Sequence, residues 1–157
     1  MRRSDNPDWV ARSYDPKPVE GESEIDIILR NCSLMVFVEA KLGRDISLRT
    51  KYDPQRNQIV RNIDCVLDRA KGRTAIFWMV VRDTGEGRSY TQLLNHYRAH
   101  PDALAGRLPH HDPERVMGLA RNLSLVLWKS FVDAALKVLP GDDAEINSIN
   151  DELRSRV

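Results

Sequence analysis

Ser23-Glu24-Ile25-Asp26-Ile27-Ile28-Leu29 is followed by Arg30-Asn31-Cys32-Ser33 and then by Leu34-Met35-Val36-Phe37-Val38-Glu39-Ala40-Lys41. Two apolar runs of strand length flank a short polar gap. β-branched and aromatic residues dominate both runs, and the gap suits a hairpin turn. Each run carries charge where a buried strand should not. Asp26 interrupts the first, and Glu39 and Lys41 close the second. Side chains i and i+2 of a strand point to one face, so Glu39 and Lys41 share a face. A hairpin register that sets Asp26 opposite them brings it to the same place. Two carboxylates and an ammonium beside an apolar sheet are costly unless they are paired or bind a metal.

Leu42 to Tyr52 is basic, contains Gly43 and reads as a loop leaving that edge. Asp53-Pro54 predicts a helix start, with Asp53 as N-cap and Pro54 at the first position. Ile59, Ile63, Val66, Leu67 and Ala70 then recur at helical spacing, and Gly72 ends the pattern. Thr74 to Val81 is a nearly continuous apolar run, which predicts a strand buried on both faces. Tyr90 to His100 reads as a helix with Leu93, Leu94 and Tyr97 inward. Residues 101–112 read as a Pro-bounded loop, and Asp112-Pro113 opens a helix to Arg121. Leu123 to Trp128 reads as a short strand, with Trp128 in the core, and Lys129 to Leu139 as an amphipathic helix.

The 157 residues are 41% hydrophobic and 30% charged, the composition of a globular domain. The expected organisation is an irregular arm over 1–22, one domain over 23–140 and a polar tail with helical potential over 141–157. No apolar run reaches the length of a membrane span, and the first residues lack the apolar core of a signal peptide. Cys32 and Cys65 are too few for a disulfide framework, and a reducing cytoplasm fits. A net charge of +1 argues against a strong nonspecific polyanion binder. Charge is uneven, however: Lys41 to Arg73 holds nine Lys/Arg against four Asp. That local excess suits an approaching phosphate backbone, although a solvated helix face and loop would look alike. Asp83-Thr84-Gly85-Glu86-Gly87-Arg88 lacks the Lys-Ser/Thr of a P-loop.

Asp on one strand, followed by Glu-x-Lys at the end of the next, resembles the PD-(D/E)xK nuclease superfamily. Ile25-Asp26-Ile27-Ile28 and Phe37-Val38-Glu39-Ala40-Lys41 are similar to the core motif of Holliday-junction resolvases and Mrr-type restriction enzymes. The likeness spans roughly residues 22–82. It implies an α/β domain with a restriction-endonuclease-like core, a central mixed sheet flanked by helices. It implies a Mg²⁺-dependent DNA endonuclease, with Mn²⁺ able to substitute and a homodimer as one way to cut two strands. Asp26, Glu39 and the Ala40 backbone carbonyl would hold the metal, with Glu24 as a further carboxylate. Lys41 would orient the attacking water or stabilise the transition state. Gln55 or Gln58 would orient Lys41 or touch the DNA. Arg44, Arg49, Lys51, Arg56 and Asn62 would contact the nucleic acid.

Other readings compete. The charged triad can be a structural ion pair on an edge strand, worth roughly 0–1 kcal/mol if exposed. A nonenzymatic relative would keep the scaffold as a nucleic-acid- or protein-binding module. His96 and His100, at i and i+4 with His110 and His111 nearby, have spacing that suits a transition metal, but no third ligand follows at a convincing distance and a surface helix with a polar loop explains them better.

Overall fold

The computed structural model describes residues 25–50, 54–83 and 85–138. The expected arm over 1–22, Glu24, Lys51, the Asp53 cap and the tail over 141–157 lie outside the described residues. The element order is β1 (Ile27–Arg30), β2 (Leu34–Lys41), α1 (Gln58–Ala70), β3 (Thr74–Val81), α2 (Ser89–Ala99), α3 (Pro101–Arg107), α4 (Pro113–Arg121), β4 (Ser124–Leu127) and α5 (Trp128–Val138).

The predicted hairpin forms. Asn31 makes its turn by accepting, through Oδ1, the N–H groups of Ser33 at 2.9 Å and Leu34 at 2.8 Å, the side-chain mimic of a backbone turn. The first strand is shorter than the sequence suggests and starts at Ile27. Asp26 lies at a bend instead, its side chain engaging β2. The four strands form one mixed sheet in the order β1-β2-β3-β4. β1 and β2 are antiparallel, while β2–β3 and β3–β4 are parallel. Parallel neighbours need long crossovers, which α1 provides between β2 and β3 and α2 to α4 between β3 and β4.

Strand alternation sorts the core. Met35 and Phe37 of β2 and Ala75, Phe77, Met79 and Val81 of β3 join the apolar stripe of α1 in the main core. Tyr90, Leu94 and Tyr97 of α2, Leu104 of α3 and Val116 and Leu119 of α4 complete it. Val36, Val38 and Val80 point to the other face, where Trp128 and Phe131 of α5 pack. β3 is therefore covered on both sides, as its continuous apolar run requires. Trp128 stacks on Phe131 with ring centroids 5.8 Å apart, so it is a packing residue. Among the described residues no helix is long and apolar enough to cross a membrane.

Two expected boundaries move. The first helix begins at Gln58, not at Pro54, because Asn57 supplies the cap by accepting the Val60 N–H at 3.0 Å. Pro54 and Gln55 sit in a turn ahead of it. At its far end Lys71 and Gly72 are both left-handed, with φ of 44° and 88°. Gly72 meets that requirement at no steric cost. Residues 101–107, expected as loop, are the helix α3. Pro101 is pre-set for a first helical turn, and burial of Leu104 pins the segment to the core.

α2 has no side-chain cap of its own. Asp45, in the loop after β2, provides one from a distance. Its carboxylate accepts the N–H groups of Ser89 at 2.8 Å and Tyr90 at 3.2 Å, as well as that of Ile46. Partial burial alone would raise the Asp45 carboxyl, but these backbone donors outweigh it and hold it below the usual range. This contact ties the loop that leaves the charged edge to a core helix. Asp45→Ala should lower stability by about 0.5–2 kcal/mol, measured by urea unfolding at neutral pH. Because the folded-state value is depressed, the wild-type advantage should persist above the unfolded-state value and fade as pH falls through the folded one.

Candidate metal and catalytic site

Glu39 occupies the same side of β2 as Met35 and Phe37, the side that α1 covers. It is 4% exposed, so its carboxylate meets the helix rather than water. An α-helix advances about 100° per residue, which puts Gln58 and Asn62, four apart, on one border of the α1 stripe. Both reach Glu39. Gln58 Nε2 donates to Oε1 at 2.6 Å, and Asn62 Nδ2 donates to Oε2 at 3.0 Å. Gln58 Oε1 in turn accepts the Ser47 N–H at 3.4 Å, which fixes which way the amide faces.

Lys41, two residues on and on the same face, places Nζ 2.9 Å from Glu39 Oε1. Asp26 lies one step beyond the Ile27–Val38 pair of the hairpin register. Its Oδ2 accepts the Ala40 N–H at 2.7 Å. The sheet thus gathers Asp26, Glu39 and Lys41 at one edge. Burial pushes the Glu39 carboxyl up; Lys41 and Asn62 pull it down, and the Asp26 charge pushes it up again, with a net rise. A raised folded-state value means that ionised Glu39 costs stability as pH climbs through it. A second positive charge beside Asp26 and Glu39 would offset that cost.

The expected residues fall into four groups. Asp26, Glu39, Lys41 and Gln58 come together, and Ala40 joins them through its N–H. Gln55 stays apart: it lines an open groove of about 570 Å³ with Arg49, His96 and Arg107, and its carbonyl accepts from Arg107 at 3.1 Å. Arg44 and Arg49 are exposed on the loop after β2. Arg56 and Asn62 are corrections. Arg56 is 3% exposed and Asn62 fully buried, so neither faces a nucleic-acid backbone. Asn62 serves Glu39, and Arg56 pairs with a carboxylate that the sequence reading passed over.

That carboxylate is Asp64, on the opposite border of α1 from Asn62 and fully buried. Arg56 Nη2 lies 2.5 Å from its Oδ2. The Nε2 atoms of His110 and His111, in the loop between α3 and α4, each lie 2.7 Å from its Oδ1. Burial alone would raise the Asp64 carboxyl; the two imidazoles and the guanidinium outweigh it and hold it far below the usual carboxylate range. An Asp within a helix reads as surface, and its histidine partners lie 46 and 47 positions away in sequence. The His110-His111 doublet was the only local signal. His96 and His100 are exposed and their rings sit 5.1 Å apart, with no carboxylate joining them in a metal-competent group among the described residues.

Compared with family models, curated proteins and solved structures, the chain finds no match in any of the three.

Removing one partner of a buried ion pair strands the other. Asp64→Ala should therefore cost about 3–5 kcal/mol, read as a lower urea midpoint at neutral pH, against under about 0.5 kcal/mol for removal of the exposed Lys129–Asp133 pair.

Proposed function

We propose that the chain is a Mg²⁺-dependent phosphodiester hydrolase acting on DNA, with a restriction-endonuclease-like core of the PD-(D/E)xK kind. The observation that carries the reading is the meeting of Asp26, Glu39 and Lys41 at one sheet edge, with Glu39 braced by Gln58 and Asn62 from the helix behind. A structural ion pair would need only Glu39 and Lys41. It would not call for an aspartate beside them, whose charge disfavours ionised Glu39.

The donor set fits a hard dication. Carboxylate oxygens are the ligands Mg²⁺ prefers. Asp26 Oδ1 carries no hydrogen bond among the described residues, and Glu39 Oε2 accepts a single one, so each carboxylate has an oxygen with capacity left. When bound, the cation supplies a water of lowered pKa and positive charge near the scissile phosphate.

The side chains do the rest. Lys41 is tethered at Glu39 Oε1 and keeps N–H donors to orient an attacking water or meet charge developing on a phosphate oxygen. Gln58 and Asn62 are positioning residues that hold the Glu39 carboxylate in one plane, and the Ala40 N–H does the same for Asp26. Arg44 and Arg49 would carry the DNA backbone. The parallel with nucleases of this pattern suggests products with 5′-phosphate and 3′-hydroxyl ends.

Lys41→Ala and Asp26→Asn should each lower Mg²⁺-dependent cleavage of duplex DNA by about 10²–10³-fold, with far-UV circular dichroism unchanged. Either variant cutting at the wild-type rate would contradict the proposal. So would a wild-type protein that binds DNA without Mg²⁺-dependent turnover, which would point to the binding module.

A further inference from the structure

The Asp64 cluster faces away from the Asp26–Glu39 edge, across the width of α1, and the proposed hydrolysis makes no use of it. Two adjacent histidines aim the same atom, Nε2, at the same carboxylate oxygen, each at 2.7 Å. Their rings are 4.3 Å apart between centroids. The three ligand atoms lie within 4.8 Å of one another. Hydrogen bonding alone explains this poorly. It requires both rings to carry a proton on Nε2, which leaves each Nδ1 an acceptor in a neutral ring or a second donor in an imidazolium, and in either form a buried Nδ1 needs a partner. His110 Nδ1 is buried with no hydrogen-bond partner among the described residues.

We propose that Asp64 Oδ1, His110 Nε2 and His111 Nε2 form a binding site for a divalent transition metal, with Zn²⁺ the best-matched ion. Two imidazole nitrogens and one carboxylate oxygen are a three-ligand set that leaves Zn²⁺ a fourth position for water. Imidazole suits Zn²⁺ and its neighbours and suits Mg²⁺ poorly, so the site is separate in chemistry from the proposed Mg²⁺ site as well as in place. Arg56 supplies the outer support such a carboxylate needs: it holds Oδ2 and leaves Oδ1 aimed at the histidines. Zinc bonds of about 2.0–2.1 Å put tetrahedral ligands roughly 3.3 Å apart. The imidazoles must therefore retreat by about half an ångström, and they sit in a loop, where such a shift is cheap. The metal would take the place of the two Nε2 protons and pin the α3–α4 loop to α1. The Arg56 charge across the carboxylate opposes a dication, so the site should bind less tightly than one with an uncharged outer support.

The test is equilibrium dialysis of the chelator-stripped full chain against Zn²⁺ with millimolar Mg²⁺ present, the retained zinc being counted by mass spectrometry. Wild type and Glu39→Gln should both retain one equivalent. His110→Ala and His111→Ala should each weaken retention at least about tenfold. Co²⁺ added to wild type should give the intense visible bands of a low-coordinate nitrogen–oxygen site, and this readout stands even if a histidine variant fails to fold. Three results would overturn the inference: no zinc on wild type, retention unchanged in folded histidine variants, or the visible spectrum of aqueous Co²⁺. Zinc lost with Glu39→Gln but kept by the histidine variants would also overturn it, by locating the ion at the other site. None of these outcomes depends on DNA cleavage, so the nuclease proposal stands or falls separately.

Discussion

A carboxylate at the seam between a sheet and its covering helix must be given partners, and most of the local architecture around β2 follows from that constraint. Glu39 continues the inward face that Met35 and Phe37 begin, so the strand's own periodicity carries it under α1. An unpaired carboxylate there would cost several kcal/mol in lost solvation. Gln58, Asn62 and Lys41 offset part of that cost. The helix can serve in this way only because it starts at Gln58, with Asn57 as its cap, which sets the phase that turns Gln58 and Asn62 toward the sheet.

α1 is therefore two-sided in function as well as in burial. Its apolar stripe fills the main core. One border carries Gln58 and Asn62 to Glu39; the other carries Asp64 to Arg56, His110 and His111. The same helix orients a half-exposed charged edge and anchors a distant loop. The Asp45 cap on α2 adds a third tie, from the loop that follows Lys41. Polar side chains inside this protein thus join elements that apolar packing alone would leave free to shift, although Asn62 Oδ1, Arg56 Nε and His110 Nδ1 are buried without a partner among the described residues.

The sequence made some of this legible and hid the rest, for reasons that differ by residue. β2 and β3 read cleanly because both are apolar runs of strand length bounded by turn residues, and the α1 stripe read cleanly because its period is strong. The meeting of Asp26, Glu39 and Lys41 followed from alternation plus a hairpin, both local. Gln58 could not be told from Gln55, because that choice depends on which residue caps the helix. Arg56 and Asn62 were expected on a nucleic-acid surface because polarity in a sequence normally signals exposure. Both are buried in the fold, Asn62 against Glu39 of β2 and Arg56 against Asp64 of the helix that follows it. Asp64 was invisible for the same reason: only the fold brings residues 46 positions away onto its carboxylate.

Hydrolysis at this edge turns on whether the two carboxylates there share a cation. The direct measurement is the anomalous difference density of crystals of the wild-type protein soaked in Mn²⁺. A peak between Asp26 and Glu39, within bonding distance of both and lost when Asp26 is changed to asparagine, is the predicted result. Ordered side chains at that edge with no peak between them, under Mn²⁺ that occupies other carboxylates in the same crystal, would contradict it.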